Sequence, residues 1–129
     1  MKHRILVVED NPLNLELLRD WLQGEGFEVH SAADLRSAFA QAERSQPHAV
    51  LLDIQLGADN GLMFAVWLRS HKLLGETPLI AVTAHALLSE RDLILKSGCN
   101  DCISKPVDFR LLRQSLQRWL PSKMTDLVS

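Results

Sequence analysis

A chain of 129 residues, 47% of them hydrophobic, is long enough for one packed core and too short for two comfortable ones. Its 14 basic and 16 acidic residues give a net charge of −2 with the signs interspersed, so no basic stripe invites nucleic acid. No apolar stretch reaches membrane-spanning length, no signal-peptide pattern precedes the first strand, and Cys99 and Cys102 are too few for a disulfide scaffold, so a cytoplasmic setting is expected.

Residues 5–8, Ile-Leu-Val-Val, form a short apolar run that ends directly in Glu9 and Asp10. Four apolar residues between polar ones are the pattern of a strand buried on both faces. Asn11-Pro12 then supplies an N-cap and a proline at the first helical position. The helix runs through Leu13, Leu15, Leu17, Leu18, Trp21 and Leu22 to about Gly24 or Gly26. Its apolar positions span about 200° of arc, wider than a core stripe, with Leu13 and Leu15 at the margins. Residues 27–30 alternate as a short second strand, expected at the sheet edge because no functional side chain closes it. Leu35, Ala38, Phe39 and Ala42 follow at helical spacing.

Residues 49–52 are a second fully apolar run, and it ends in Asp53. A loop over 55–60 leads to a helix from about Gly61 to Lys72, apolar on every face from Leu62 to Leu68. Leu62, Ala65 and Leu68 suffice for its core stripe, which leaves Met63, Val66 and Trp67 available for a partner or a homodimer contact. Pro78 opens a third such run, 79–82, closed by Thr83, and a helix spans about 87–97 with Gly98 as its stop. A short strand over 101–104 ends in Lys105-Pro106, and the last helix starts at Asp108 as N-cap and stops at Pro121. Residues 122–129 read as a short frayed tail. Five strand–helix units imply one α/β domain over residues 1–121, a doubly wound parallel sheet covered on both faces.

In such a sheet functional groups gather at the carboxyl ends of the strands. The residues there are Glu9, Asp10, Asp53, Thr83 and Lys105. Converging carboxylates raise one another's proton affinity unless a cation holds them, and a hard cation such as Mg²⁺ suits an all-oxygen set. Beside it a hydroxyl and an ammonium can meet phosphoryl oxygens while Asp53 attacks phosphorus, giving an acyl phosphate.

With Val7-Val8-Glu9-Asp10-Asn11, Leu51-Leu52-Asp53, Asn60-Gly61-Leu62, Ala81-Val82-Thr83-Ala84 and Ser104-Lys105-Pro106 in this order, the chain resembles a response regulator receiver domain of a two-component system over about residues 4–120. The resemblance implies the flavodoxin-like strand order 2-1-3-4-5 and makes Asp53 the phosphoacceptor. Mg²⁺ is then held directly by Asp10 and Asp53, by Glu9 through water, and by the backbone carbonyl of Gln55. Thr83, the backbone N–H of Ala84, and Lys105 take the phosphoryl group, and the Lys105–Pro106 peptide is cis. The implied donor is a histidine kinase or histidine phosphotransfer protein, docked on the first helix, and the output is another protein. Direct nucleic-acid or membrane binding is not implied, and no effector domain fits after Pro121. Asn11 and Asn14 resemble stand-alone receivers and those of hybrid histidine kinases, and the start at Met1 favours the former.

Three features depart from the family pattern. Cys102 stands where an aromatic switch residue is usual, so the output is expected not to be read through an aromatic flip. Gly57 stands where many relatives have proline, which should loosen the 55–60 loop. Asp59 and His85 are candidate modulators; the ordinary reading of Asp59 is a solvated turn residue, and the other four histidines read as surface residues. Cys99 and Cys102 are formally C-x-x-C, but the pair precedes a strand and lacks further zinc ligands, so it reads as packing. An aspartate-nucleophile phosphatase needs a second acid two residues after its nucleophile, where this chain has Gln55. The expected activity is therefore self-phosphorylation and autodephosphorylation, not turnover of a free substrate.

Overall fold

The computed structural model describes residues 2–84 and 87–120. Its elements are β1 (Arg4–Val8), α1 (Pro12–Gly24), β2 (Glu28–Ala32), α2 (Leu35–Ser45), β3 (Ala49–Asp53), β4 (Gln55–Leu56), β5 (Asp59–Asn60), α3 (Leu62–Ser70), β6 (Leu79–Thr83), α4 (Leu88–Lys96), β7 (Asp101–Ser104) and α5 (Phe109–Trp119). Five strands make one parallel sheet in the order β2-β1-β3-β6-β7, with β2 at the edge. Without the two-residue ribbon β4–β5, which pairs antiparallel outside the sheet, this is the flavodoxin-like order 2-1-3-4-5.

The apolar runs divide between two cores. Ile5, Val7, Leu51, Ile80 and Ile103 point to the face covered by Leu18 and Leu22 of α1 and by Leu112 and Leu116 of α5. Leu6, Val8, Val50, Leu52, Leu79 and Ala81 point to the other, against Ala38 and Ala42 of α2, Phe64 and Leu68 of α3, and Ile94 of α4. Strands buried on both faces need apolar residues at every position, hence continuous runs rather than alternation. Each fully buried Leu, Ile or Phe stabilises the fold by roughly 1.5–3 kcal/mol relative to exposure.

Several local details differ from the sequence expectations. β2 lies at 28–32 rather than 27–30, because pairing from Arg4↔Glu28 to Val8↔Ala32 carries it as far as β1 runs. Phe27 instead packs at the margin of the α1–α5 core. The 55–60 segment, expected as a loop, is a short hairpin: Gly57, at φ 60, opens a tight turn between β4 and β5. α3 ends at Ser70, where His71 turns extended and its Nδ1 accepts the Leu73 and Leu74 N–H groups. On α3, Met63 and Val66 are exposed, but Trp67 packs against Phe39 and Phe64.

Nor is His48 a surface residue. It is half-buried, its Nδ1 accepts the Arg4 backbone N–H at 2.8 Å, and its ring meets His3 edge-on at 5.0 Å. Burial, then the Arg4 and His3 charges, hold its pKa below the usual histidine value. The folded state therefore binds this proton less readily than the unfolded chain, so stability is full above about pH 6.5 and declines as pH falls below it. His48→Asn offers an acceptor that does not titrate. Urea denaturation between neutral and mildly acidic pH should show a shallower loss for this variant than for wild type; equal slopes would refute the assignment.

Candidate functional site

The sheet register builds the site at the carboxyl ends of the strands. Val8 pairs with Leu52, which sets Glu9 beside Asp53; Asp53 pairs with Val82, and Thr83 with Ser104, which sets Thr83 and Lys105 on its far side. The Glu9 backbone N–H donates to the Ala32 carbonyl at 2.9 Å, extending the β1–β2 ladder into the site. Asn11 does two things. Its side-chain oxygen accepts the Leu13 and Asn14 N–H groups and caps α1, while its own N–H donates to Glu9 Oε2 at 3.1 Å. Helix start and carboxylate are thus fixed by one residue, a link the sequence reading missed although the Glu-x-Asn spacing carries it.

Glu9, Asp53 and Thr83 are buried, whereas Asp10 is exposed at the mouth. The Gln55 backbone N–H donates to Asp53 Oδ1 at 3.0 Å. Lys105 Nζ lies 3.1 Å from Asp53 Oδ2 and 3.1 Å from Glu9 Oε1, bridging the two buried acids. Its backbone N–H donates to the Thr83 carbonyl at 2.8 Å, and the following peptide to Pro106 is cis.

Burial pushes the Glu9 carboxyl above its ordinary range, and the Asp53 charge adds to that; the Asn11 N–H and Lys105 oppose it. Burial also works against the Lys105 ammonium, but bonds to Asp53 and Glu9 outweigh it, so Lys105 sits above its ordinary value and stays charged. One oxygen from each of Glu9, Asp10 and Asp53 lies within 4.8 Å of the others. Glu9 and Asp53 share the single ammonium of Lys105, and Asp10, the third carboxylate of the cluster, has no ion pair among the described residues. That surplus of hard oxygen donors, open to water at Asp10, fits a magnesium ion.

The model of the response regulator receiver domain family matches residues 5–117. The chain belongs to this family. It is 33% identical over 120 residues to the polar-differentiation response regulator DivK of Brucella ovis, with 93% of this chain and 98% of DivK covered. Among solved structures, the receiver domain of a Pseudomonas aeruginosa sensor histidine kinase, described with a magnesium ion coordinated in its active-site cleft, is 35% identical, with 92% and 98% coverage and a TM-score of 0.84. A response regulator structure from Chloroflexus aurantiacus is 28% identical, with 92% and 97% coverage and a TM-score of 0.86. Receiver domains are phosphorylation-controlled signalling switches that bind Mg²⁺ at an acidic site and work with histidine kinases or phosphotransfer proteins and with downstream effectors.

Within the receiver domain, Glu9, Asp10, Asp53, Thr83 and Lys105 come together. Gln55 follows at the start of the ribbon, and Ala84 is exposed just after Thr83. Asp59 is exposed on β5, lining a cleft toward α4 with Thr83 and Glu90, and is not one of the three clustered acids. His85 and the 122–129 tail lie outside the described residues. Cys102 is buried under α4 next to Ile94 and Cys99. Burial pushes the Cys99 thiol up to about 12 and raises that of Cys102, so neither is a ready thiolate, and both are packing residues. No described helix is long and apolar enough to cross a membrane.

Proposed function

We propose that Asp53 accepts a phosphoryl group from a phosphohistidine on a kinase or phosphotransfer protein and later loses it to water, which makes the chain a reversible cytoplasmic switch. The supporting observation is the setting of Asp53: buried, beside the Glu9–Asp10 pair, with Lys105 Nζ 3.1 Å away. A carboxylate oxygen attacks phosphorus, the P–N bond breaks, and its electron pair leaves with the imidazole. Lys105, the Thr83 hydroxyl and the Ala84 N–H meet phosphoryl oxygens as charge redistributes in the loose transition state. The Gln55 N–H fixes the Asp53 carboxyl plane. Glu9, Asp10, Asp53 and the Gln55 carbonyl would hold magnesium, which neutralises phosphoryl charge when bound. Gln55 cannot act as the general acid–base of a phosphatase, so the chemistry is confined to the chain's own phosphorylation and slow dephosphorylation.

Intact mass after incubation with acetyl phosphate tests this. Wild type should gain one phosphoryl group with Mg²⁺ and far less after chelation, while Asp53→Ala should gain none. Labelling of Asp53→Ala, or metal-independent labelling elsewhere, refutes the assignment.

A further inference from the structure

A helix on the surface of a domain ordinarily turns charged or polar residues to water, and α3 does not. Its outward side carries Met63, Val66 and Ser70, with Trp67 half-buried at the margin. Met63 and Val66 are 60% and 61% exposed, and Leu73, 77% exposed, carries the apolar surface past the helix end. Toward α2 the surface continues into half-buried Phe39, whose ring lies 4.8 Å from that of Trp67. Residues 62–68 include no polar side chain at all, the pattern of a helix covered on every side.

The polar side chains of α3 are used up within the fold. Arg69 is the only charged residue of the helix, and its guanidinium turns away from this face. Its Nε donates to the Gly98 carbonyl at 2.8 Å, Nη1 to those of Gly75 and Thr77 at 3.0 and 2.7 Å, and Nη2 to Asn100 Oδ1 at 2.8 Å. Ser70 Oγ donates within its own helix, 3.3 and 3.0 Å from the Val66 and Trp67 carbonyls. The outer face can therefore lose its water without stranding a side-chain donor. Exposed charge returns only beyond the two ends, as Asp59 before the helix and Lys72 after it.

We propose that this face is the contact surface for a second copy of the chain, with the two α3 helices packed antiparallel about a two-fold axis at Val66. The charge pattern selects that arrangement. Asp59 and Lys72 stand about equally far along the chain on either side of Val66, so the axis brings each aspartate toward the other copy's lysine. A parallel arrangement sets like charges together instead. Met63 and Ser70 are centred on the same point, so a large side chain meets a small one across the axis. Exposed ion pairs add little affinity; here they fix the register, while the apolar face supplies the attraction. One helix face is a narrow contact, which makes the dimer weak and concentration-dependent. α3 lies on the opposite side of the sheet from α1 and α5, so pairing leaves the α1–α5 side of both copies free.

Sedimentation equilibrium of the full chain, from about 10 µM to about 1 mM, tests this. The average mass should rise from one chain toward two, and Val66→Glu, at an exposed position, should weaken association at least about tenfold. Asp59→Lys and Lys72→Glu should each weaken it about threefold to tenfold, and combined in one chain they should restore it. Val66→Cys, next to the axis, should cross-link to its copy under copper phenanthroline, with the buried Cys99 and Cys102 as an inert background. A chain that stays single at every concentration overturns the proposal, whatever other protein binds the face, and so does association untouched by Val66→Glu. Charge reversals that fail to rescue each other, or a Val66→Cys chain that associates without cross-linking, overturn the antiparallel packing.

Discussion

Gly61→Ala is expected to destabilise the domain by about 3 kcal/mol and to slow phosphorylation at least about tenfold. Gly61 has φ −60 and ψ −21, a conformation any residue adopts, so the demand on it is purely steric. A Cβ would run into the Asp53 carbonyl oxygen and lie 2.9 Å from that of Ile54 and 3.0 Å from the Ile54 Cα. The close approach is held by the Gly61 N–H, which donates to the Ile54 carbonyl at 2.6 Å. Relief requires either loss of that bond or movement of the Asp53–Ile54 backbone, and the second misplaces the reacting carboxylate relative to Lys105. Gly24→Ala is the control, because no atom lies within 4 Å of its added Cβ. Urea denaturation and the time course of acetyl phosphate labelling should separate the two variants. Wild-type stability together with a wild-type labelling rate in Gly61→Ala would show that the contact is absorbed without consequence.

The fold was legible in this sequence because burial on both faces leaves an unambiguous mark. The runs at 5–8, 49–52 and 79–82 contain no polar residue, and each is closed by a functional one. The site followed from the fold, since a parallel sheet brings its strand ends together whatever the helices between them do. β2 was the least well bounded, since an edge strand with intermediate burial has only weak side-chain periodicity and takes its limits from its pairing with β1. The 55–60 hairpin left no mark in the sequence because its two strands are two residues long, too short for any periodicity, and a glycine alone does not reveal that its backbone is left-handed. Arg69 left no signal at all. Its four acceptors come from residues 75, 77, 98 and 100, and nothing in local spacing brings them together. What the sequence concealed was side-chain reach across long separations, not backbone topology.

Lys105→Met is expected to separate the electrostatic and the chemical contributions of one residue. Methionine keeps much of the stem and removes the charge that bridges Glu9 and Asp53. Breaking a fully buried pair costs about 3–5 kcal/mol; the Lys105 ammonium is partly open to water, so about 1–2 kcal/mol at neutral pH is expected. The sign of the pH dependence follows from Glu9, whose carboxyl already lies above its ordinary range through burial and the nearby Asp53. A carboxyl raised in the folded state favours folding at low pH, where both states are protonated, and loses that advantage as pH rises through its folded value. Without Lys105 the rise is larger, so the deficit of the variant should be small near pH 4 and grow toward neutrality. Magnesium should narrow the deficit by binding the folded carboxylates. Labelling by acetyl phosphate should fall about a hundredfold, because a positioned charge at the phosphoryl oxygens is missing. Lys105→Arg then divides the two effects: its charge restores the pH profile, while its planar fork does not put a point charge in the ammonium's place, so labelling stays slow. A deficit for Lys105→Met that is the same at every pH would mean that the stem, and not the charge, stabilises the site.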